Sequence, residues 1–296
     1  MRVTQSMLSS NSLRNLSESY RRMGKYEDQL ATGKKINKPS DDPVVAMKGM
    51  YYRSNLTEIE QYKRNLSELY LWMENSEAGI DQANSALQRV RELTIQGQND
   101  TNSPDDRKAI AREIEQLQQS LAATANTKIG GRYIFHGTDI MKPVVTSENP
   151  VEVADNLTSD KINNYQIEVS RGVFMKANVN PGNVFNQEMF DTVQKIQEQL
   201  ESPDPKGMDQ LLEDLDKVMN TLSAERSELG ARYNRLEMVE TRLGQQEVMA
   251  TKILSDNEDA DIERVIMDLK SQESVHRAAL SVSARVIQPT LMDFLR

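Results

Sequence analysis

Between Tyr52 and Gly97 the sequence repeats one spacing without a break. Tyr52, Asn55, Ile59, Tyr62, Leu66, Leu69, Met73, Ser76, Ile80, Ala83, Leu87, Val90, Thr94 and Gly97 follow one another at alternating three- and four-residue steps, and ten of these fourteen positions are apolar or aromatic. A heptad kept for so long calls for coiled-coil-like packing of one helix face along another, not the short contact of a globular helix. At 1.5 Å per residue such a helix is roughly 80 Å long, more than a compact domain of this size needs. This feature commits the chain to a mainly α fold.

Local chemistry marks where the helices start and stop. Upstream, Leu13, Leu16, Tyr20, Met23 and Leu30 form an apolar seam interrupted by Glu27, and Gly33 suits a helix C-terminus. Asp42 followed by Pro43 is an N-cap with proline in the first helical position, and it opens the long helix. Asn99-Asp-Thr-Asn-Ser-Pro104 reads as a turn, with Ser103 capping a third helix whose seam is Ile110, Ile114, Leu117, Leu121 and Thr124. Gly130-Gly131 is expected to end that helix. The two form an αα-hairpin.

Residues 131–187 change character. Pro143, Pro150 and Pro181, the run Tyr133-Ile-Phe135 and alternation at Tyr165, Ile167 and Val169 predict a small β-rich insertion. Helix returns near Gln187, breaks over Ser202-Pro-Asp-Pro-Lys-Gly207, and continues with Leu211, Leu215, Val218, Leu222, Leu229, Leu236, Val239 and Leu243 as a second long heptad series. A last helix near Asp259 carries Ile262, Val265, Ile266, Leu269, Ala279, Val282 and Val286. The expected architecture is a long coiled-coil-like bundle built from both ends of the chain, with a small β-rich inserted domain.

The core of such a bundle must be aliphatic, because aromatic residues are only 5% and there are 15 Met against 5 Phe. Met208, Met219, Met238 and Met249 are accordingly expected in helix packing, and Trp72, beside the seam residue Met73, is expected to cover a third helix. A formal charge of −9 offers no field for nucleic acid or an anionic membrane. No apolar run is long enough to span a bilayer, and residues 1–16 lack the features of a cleavable signal peptide.

Catalytic and metal chemistry find little to stand on. The absence of cysteine removes disulfides and thiolate chemistry. His136 and His276 are 140 residues apart, so they are expected at surfaces or interfaces and not as ligands. The acidic stretch Asp256, Glu258, Asp259, Asp261, Glu263 fails as a calcium loop because Asp261 stands where glycine is required. Gly33-Lys34 lacks the upstream glycine and following Ser or Thr of a phosphate loop. Asp41-Asp42 and Asp105-Asp106 lie beside prolines at helix starts, where capping is sufficient. No catalytic residue, cofactor site or metal site is expected.

Segments 1–42 and 255–296 present apolar seams without an internal third element to cover them. Something outside the chain must cover them, and intersubunit burial has to offset an ordering cost of roughly 1–2 kcal/mol per residue. By residues alone, two kinds of protein remain: one that assembles with copies of itself, and a cytosolic coiled-coil scaffold or export chaperone.

Leu30-Ala-Thr-Gly-Lys-Lys-Ile-Asn-Lys-Pro-Ser-Asp-Asp-Pro43 resembles the N-terminal signature of the flagellin family, with Gly33, Ile36, Asn37, Asp41 and Asp42 at its key positions. Ala224-Glu-Arg-Ser-Glu-Leu-Gly-Ala-Arg-Tyr-Asn-Arg-Leu236 resembles the C-terminal motif through Arg226, Leu229, Gly230, Asn234, Arg235 and Leu236. The ending with Leu291, Phe294, Leu295 and Arg296 resembles the family's Leu-rich terminus. Gly131-Arg-Tyr-Ile-Phe-His-Gly-Thr138 looks like the corresponding stretch of the members that join hook to filament, while filament-forming flagellin itself stays as the alternative.

The resemblance implies a secreted structural subunit with no turnover. It implies export unfolded through the flagellar type III apparatus, a dedicated chaperone at the C-terminal helix, and assembly with itself between hook-associated protein one and flagellin. It also implies a layering: 1–42 with 255–296 as an inner tube, 43–130 with 188–254 as the central bundle, and 131–187 outermost. The expected assembly interface includes the seam residues of both terminal helices together with Leu280.

Overall fold

The computed structural model describes residues 5–99, 103–148, 150–154, 157, 165–202 and 207–286. Seven helices and three hairpins make up these residues, in the order α1 (Gln5–Thr32), α2 (Pro43–Gly97), α3 (Pro104–Ala125), β1 (Lys128–Ile129), β2 (Arg132–Tyr133), β3 (Val145–Glu148), β4 (Val151–Val153), β5 (Gln166–Ser170), β6 (Val173–Lys176), α4 (Pro181–Val184), α5 (Gln187–Glu201), α6 (Met208–Glu258) and α7 (Ile262–Val286). The fold is mainly helical with a small region of short hairpins, in agreement with the sequence. Two compact units are distinguished, one drawn from residues 1–58 and 246–296, the other from 59–245.

The helix boundaries follow from local hydrogen-bond chemistry. α1 ends where Gly33 takes φ +69°, which glycine adopts without steric cost, and the Gly33 N–H still donates to Gln29 O at 2.9 Å. α2 begins under Asp42, whose Oδ1 accepts from the N–H groups of Val44 and Val45 at 3.0 and 3.1 Å. α3 begins with a full capping box, the Ser103 hydroxyl accepting from Asp106 N while the Asp106 carboxylate accepts from Ser103 N. Asp100, Thr101 and Asn102 of the expected turn, and Pro203, Asp204, Pro205 and Lys206 of the expected break, lie outside the described residues.

In the unit of residues 59–245 the heptad ladder is the core. Ile59, Leu66, Leu69, Met73, Ser76, Ile80, Ala83, Leu87, Val90, Thr94 and Gly97 are all buried on α2, Tyr62 is half-buried, and Tyr52 and Asn55, which precede this unit, are not buried. α6 runs antiparallel to it, and Leu215, Val218, Leu222, Leu229, Leu236, Val239 and Leu243 are buried as well, with Leu211 half-buried. Cross-helix pairs along the edges give the register: Tyr70 with Glu240, Arg226 with Glu77 and Asp81, Arg91 with Asp216, Gln98 with Asp209.

On α3 the expected seam needs one correction. Ile110, Ile114, Leu121 and Thr124 are buried, but Leu117 is half exposed and Gln118 is buried in its place, its amide donating to Phe190 O at 3.4 Å. α3 packs against α5 there, so the buried stripe is turned by one residue.

Gly130-Gly131 does not end α3. The helix stops at Ala125, and the two glycines, at φ +57° and +83°, form the left-handed two-residue turn of the β1–β2 hairpin. The hairpins therefore start at Lys128. Nor is the inserted region accessory to the bundle: Phe135 and Phe185, edge to face with centroids 4.8 Å apart, are fully buried. Trp72 covers this region, not a third helix, its ring 5.3 Å from that of Tyr165. Glu225, buried in the α6 heptad, accepts from Asn180 N at 2.7 Å and Asn183 Nδ2 at 3.0 Å, which ties α6 to α4.

Candidate assembly surface

In the unit formed by both chain ends, α1 and α7 pair antiparallel along two heptad stripes. The α1 stripe is Ser9, Ser12, Leu16, Ser19, Met23, Tyr26 and Leu30, and the α7 stripe is Val265, Leu269, Gln272, His276, Ala279 and Ser283, all buried or half-buried. Much of that contact is polar or small. Ser19 Oγ accepts from Gln272 Nε2 at 2.9 Å and lies 3.1 Å from His276 Nδ1, in a layer where Ser19 is 3% exposed.

A second set of large apolar side chains points the other way. Leu8, Leu13 and Tyr20 on α1, and Ile262, Ile266, Met267, Val275, Leu280 and Val282 on α7, are exposed by 41–67% of their surface. A soluble helix pair that stood alone would not leave so many apolar side chains on its outer faces. Two adjacent stripes on α1, one led by Leu13 and Tyr20 and one by Ser12 and Ser19, compete for the partner helix, and the sequence seam mixed them. Of the terminal residues expected at the interface, Leu16, Met23, Leu30, Leu269 and Ala279 are half-buried against the partner helix and Val265 is buried. Leu291, Phe294 and Leu295 lie outside the described residues, as does the side chain of Val286.

The N-terminal signature is turn chemistry. Asn37 Oδ1 accepts from the Thr32 hydroxyl at 2.8 Å, and Asp41 Oδ2 accepts from the N–H groups of Asn37 and Lys38 at 3.3 and 3.1 Å. Ile36 is half-buried. In the C-terminal signature Leu229 and Leu236 supply core, Arg226 bridges to α2, and Gly230, Asn234 and Arg235 are exposed. Met73, Glu77, Arg226, Leu229 and Gly230 line an open surface cleft of about 640 Å³.

Two expectations about single residues fail. His136 is fully buried, and neither ring nitrogen has a hydrogen-bond partner among the described residues. His276 does lie at an interface, that of α1 with α7. Of the four methionines assigned to packing, Met208 is buried and Met219 half-buried, but Met238 and Met249 are exposed by 66% and 65%. Among the described residues no group of three or more His, Asp or Glu side chains is placed to hold a metal, and no helix is long and apolar enough to cross a membrane.

The profile of the bacterial flagellin N-terminal helical region matches residues 3–139, and that of the C-terminal helical region matches residues 212–295. The chain belongs to the flagellin family. Among its family relatives, flagellar hook-associated protein 3 of Escherichia coli is 25% identical over 94% of this chain and 95% of its own length. A flagellin of Bacillus subtilis is 23% identical over 97% of each. The crystal structure of Bacillus cereus FlgL, 23% identical, superposes with a TM-score of 0.59 over 69% of this chain and 99% of that one, a likeness of fold. The two matched regions carry the helices that pair as α1 with α7 and, within residues 59–245, α2 with α6.

Proposed function

We propose that this chain is a structural subunit of the bacterial flagellum, with no catalytic turnover, that joins hook to filament by assembling through its terminal helices. The observation that carries this reading is the apolar outer face of the α1–α7 pair: Leu13, Tyr20, Ile266, Leu280 and Val282 stay exposed while serines, Gln272 and His276 take up part of the inner contact beside Leu16, Met23 and Val265. Burying each such apolar side chain contributes about 1.5–3 kcal/mol, and only neighbouring subunits offer that burial. The similarity to hook-associated protein 3 over nearly the full length of both chains favours the junction.

The partners on this reading are copies of the chain itself, hook-associated protein one on the hook side and flagellin on the filament side. A chaperone holds the C-terminal helix before export. The inner-tube, central-bundle and outer layering given above goes with it. Deleting the gene is expected to leave flagellin made and exported but lost to the medium, and normally attached filaments in the deletion strain would overturn the proposal.

The full-length likeness to a flagellin favours a second reading, a bulk filament subunit. Quantifying the protein in sheared filaments separates the two, since a filament subunit dominates that fraction and a junction subunit is scarce in it.

A further inference from the structure

Glu258, the last residue of α6, is a carboxylate with 4% of its side chain exposed, and burial of that charge demands partners. Arg53 on α2 donates to its Oε2 through Nη2 at 2.7 Å and Nε at 3.3 Å, and Lys34 Nζ stands 3.8 Å away. The space it occupies exists because α2 carries glycine at position 49. A Cβ there would overlap the carboxylate and stand 3.0 Å from Glu258 Cδ and 3.3 Å from Cγ.

Alanine would serve the interior of α2 better than glycine on helix propensity alone. Gly24, Gly230 and Gly244, also within helices, have open space where a Cβ would go, and Gly79 and Gly97 receive the apolar side chains of Phe135 and Leu200, whereas the notch at Gly49 receives a charged one.

Around this seat the α1–α2 turn and the α6–α7 turn are joined by their backbones. Lys35 N donates to Glu258 O at 2.6 Å, and Ala260 N donates to Gly33 O at 2.8 Å, closing the bridge between Lys34 and Asp259. Lys34 Nζ donates to Asp259 Oδ1 at 2.6 Å, and Asn257 Nδ2 donates to Val45 O at 3.0 Å.

We propose that Glu258 is a positioning residue: seated in the notch left by Gly49 and held by Arg53 and Lys34, it locks the two turns into one register, so that the end of α1 and the start of α7 share a common base. The consequence for assembly rests on the function proposed above, whereas the lock itself does not.

Amide hydrogen exchange on the full chain tests the lock. Gly49→Ala is expected to speed exchange at Lys35 and Ala260 at least ~10-fold, with the Leu87 and Leu222 amides of the other unit unchanged. Glu258→Ala does the same, and on that background Gly49→Ala adds nothing, because the side chain it displaced is already gone. Unchanged or slower exchange at the two amides in Gly49→Ala overturns the proposal, since helix propensity alone predicts slower. Should Gly49→Ala not yield soluble protein, Glu258→Gln keeps the volume and removes the charge; faster exchange at both amides supports the lock and wild-type exchange overturns it.

In cells, Gly49→Ala supplied to a deletion strain is expected to restore fewer attached filaments than the wild-type gene does. Faster exchange with full attachment refutes the assembly consequence alone. A deletion strain that keeps its filaments refutes the junction reading and leaves the exchange result intact.

Discussion

The ring of Phe135 lies directly over Gly79 of α2: a Cβ at that glycine would come within 2.5 Å of Phe135 Cζ. The hairpin region thus reaches the buried face of the longest helix through a notch one residue wide. Gly79→Ala is expected to destabilise the protein by about 1–3 kcal/mol through overpacking, although alanine is the better helix former. Thermal unfolding decides it, and a higher midpoint in the variant would mean that the ring yields easily.

His136 presents two buried ring nitrogens with no hydrogen-bond partner among the described residues. Replacing both polar atoms by an apolar group of similar size removes a desolvation cost that no hydrogen bond among the described residues offsets. His136→Leu is expected to raise stability by about 1–2 kcal/mol. Chemical denaturation measures it, and a clear loss would point to a partner that the imidazole needs.

Glu225 interrupts the apolar heptad of α6, yet its carboxylate satisfies Asn180 N and Asn183 Nδ2 and lies 3.6 Å from Arg232, whose side chain is 12% exposed. Removing it takes the acceptor from the Asn180 N–H and the Asn183 amide, while Arg232 keeps Glu228 and the Asn178 carbonyl. Glu225→Leu is expected to cost about 1–3 kcal/mol even though it completes the heptad. Urea unfolding at neutral pH checks this, and a stabilised variant would show that the apolar seam outweighs the tie to α4.

Two carboxyls are held below the ordinary aspartate range. For Asp106 the causes are hydrogen bonds from the Ser103 hydroxyl and then its backbone N–H; for Asp259 they are the Lys34 ammonium and then the Ser255 hydroxyl. A carboxyl whose pKa is lower in the folded state contributes stability that is complete above its unfolded value, about 3.9, and is lost as pH falls through the folded value. The first turn of α3 and the Lys34–Asp259 turn are therefore expected to hold from neutral pH down to about pH 4 and to fray below it. NMR titration of the Asp106 and Lys35 amides follows both, and fraying between pH 5 and 8 would contradict the assignment.

Leu280 is 48% exposed on α7, whereas Leu87 is fully buried on α2. Leu280→Asp is expected to change monomer stability by no more than about 0.5 kcal/mol while abolishing incorporation into flagella. Leu87→Asp is expected to unfold the central unit. Calorimetry of the monomer beside immunoblots of sheared flagella distinguishes them, and normal incorporation of Leu280→Asp would place the assembly face elsewhere.

Much of the fold was legible because the signals are local. The ladder from Ile59 to Gly97 is buried nearly rung for rung, since a heptad on so long a helix allows only one face to meet a partner. Gly33, Asp42 and Ser103 act where they stand, through a positive φ or a bond to an N–H two or three residues on. The resemblance to the flagellin family lay in the same kind of feature, short signatures at turns and along one helix.

What escaped depends on residues far away in sequence. On α1 two stripes one residue apart both repeat by sevens, and which of them is inside is decided by α7, more than 200 residues later. Gln118 displaces Leu117 because α5 approaches α3 from that side. The notches at Gly49 and Gly79 are invisible until Glu258 and Phe135 are brought to them, and nothing near His136 in sequence announces its burial. Periodicity and capping chemistry, which act within one helical turn, determined that this chain is a set of long helices with unsatisfied apolar faces. Only the tertiary structure decided which faces are spent inside the monomer and which remain for neighbours, because burial is a property of pairs of surfaces and a sequence specifies them one at a time.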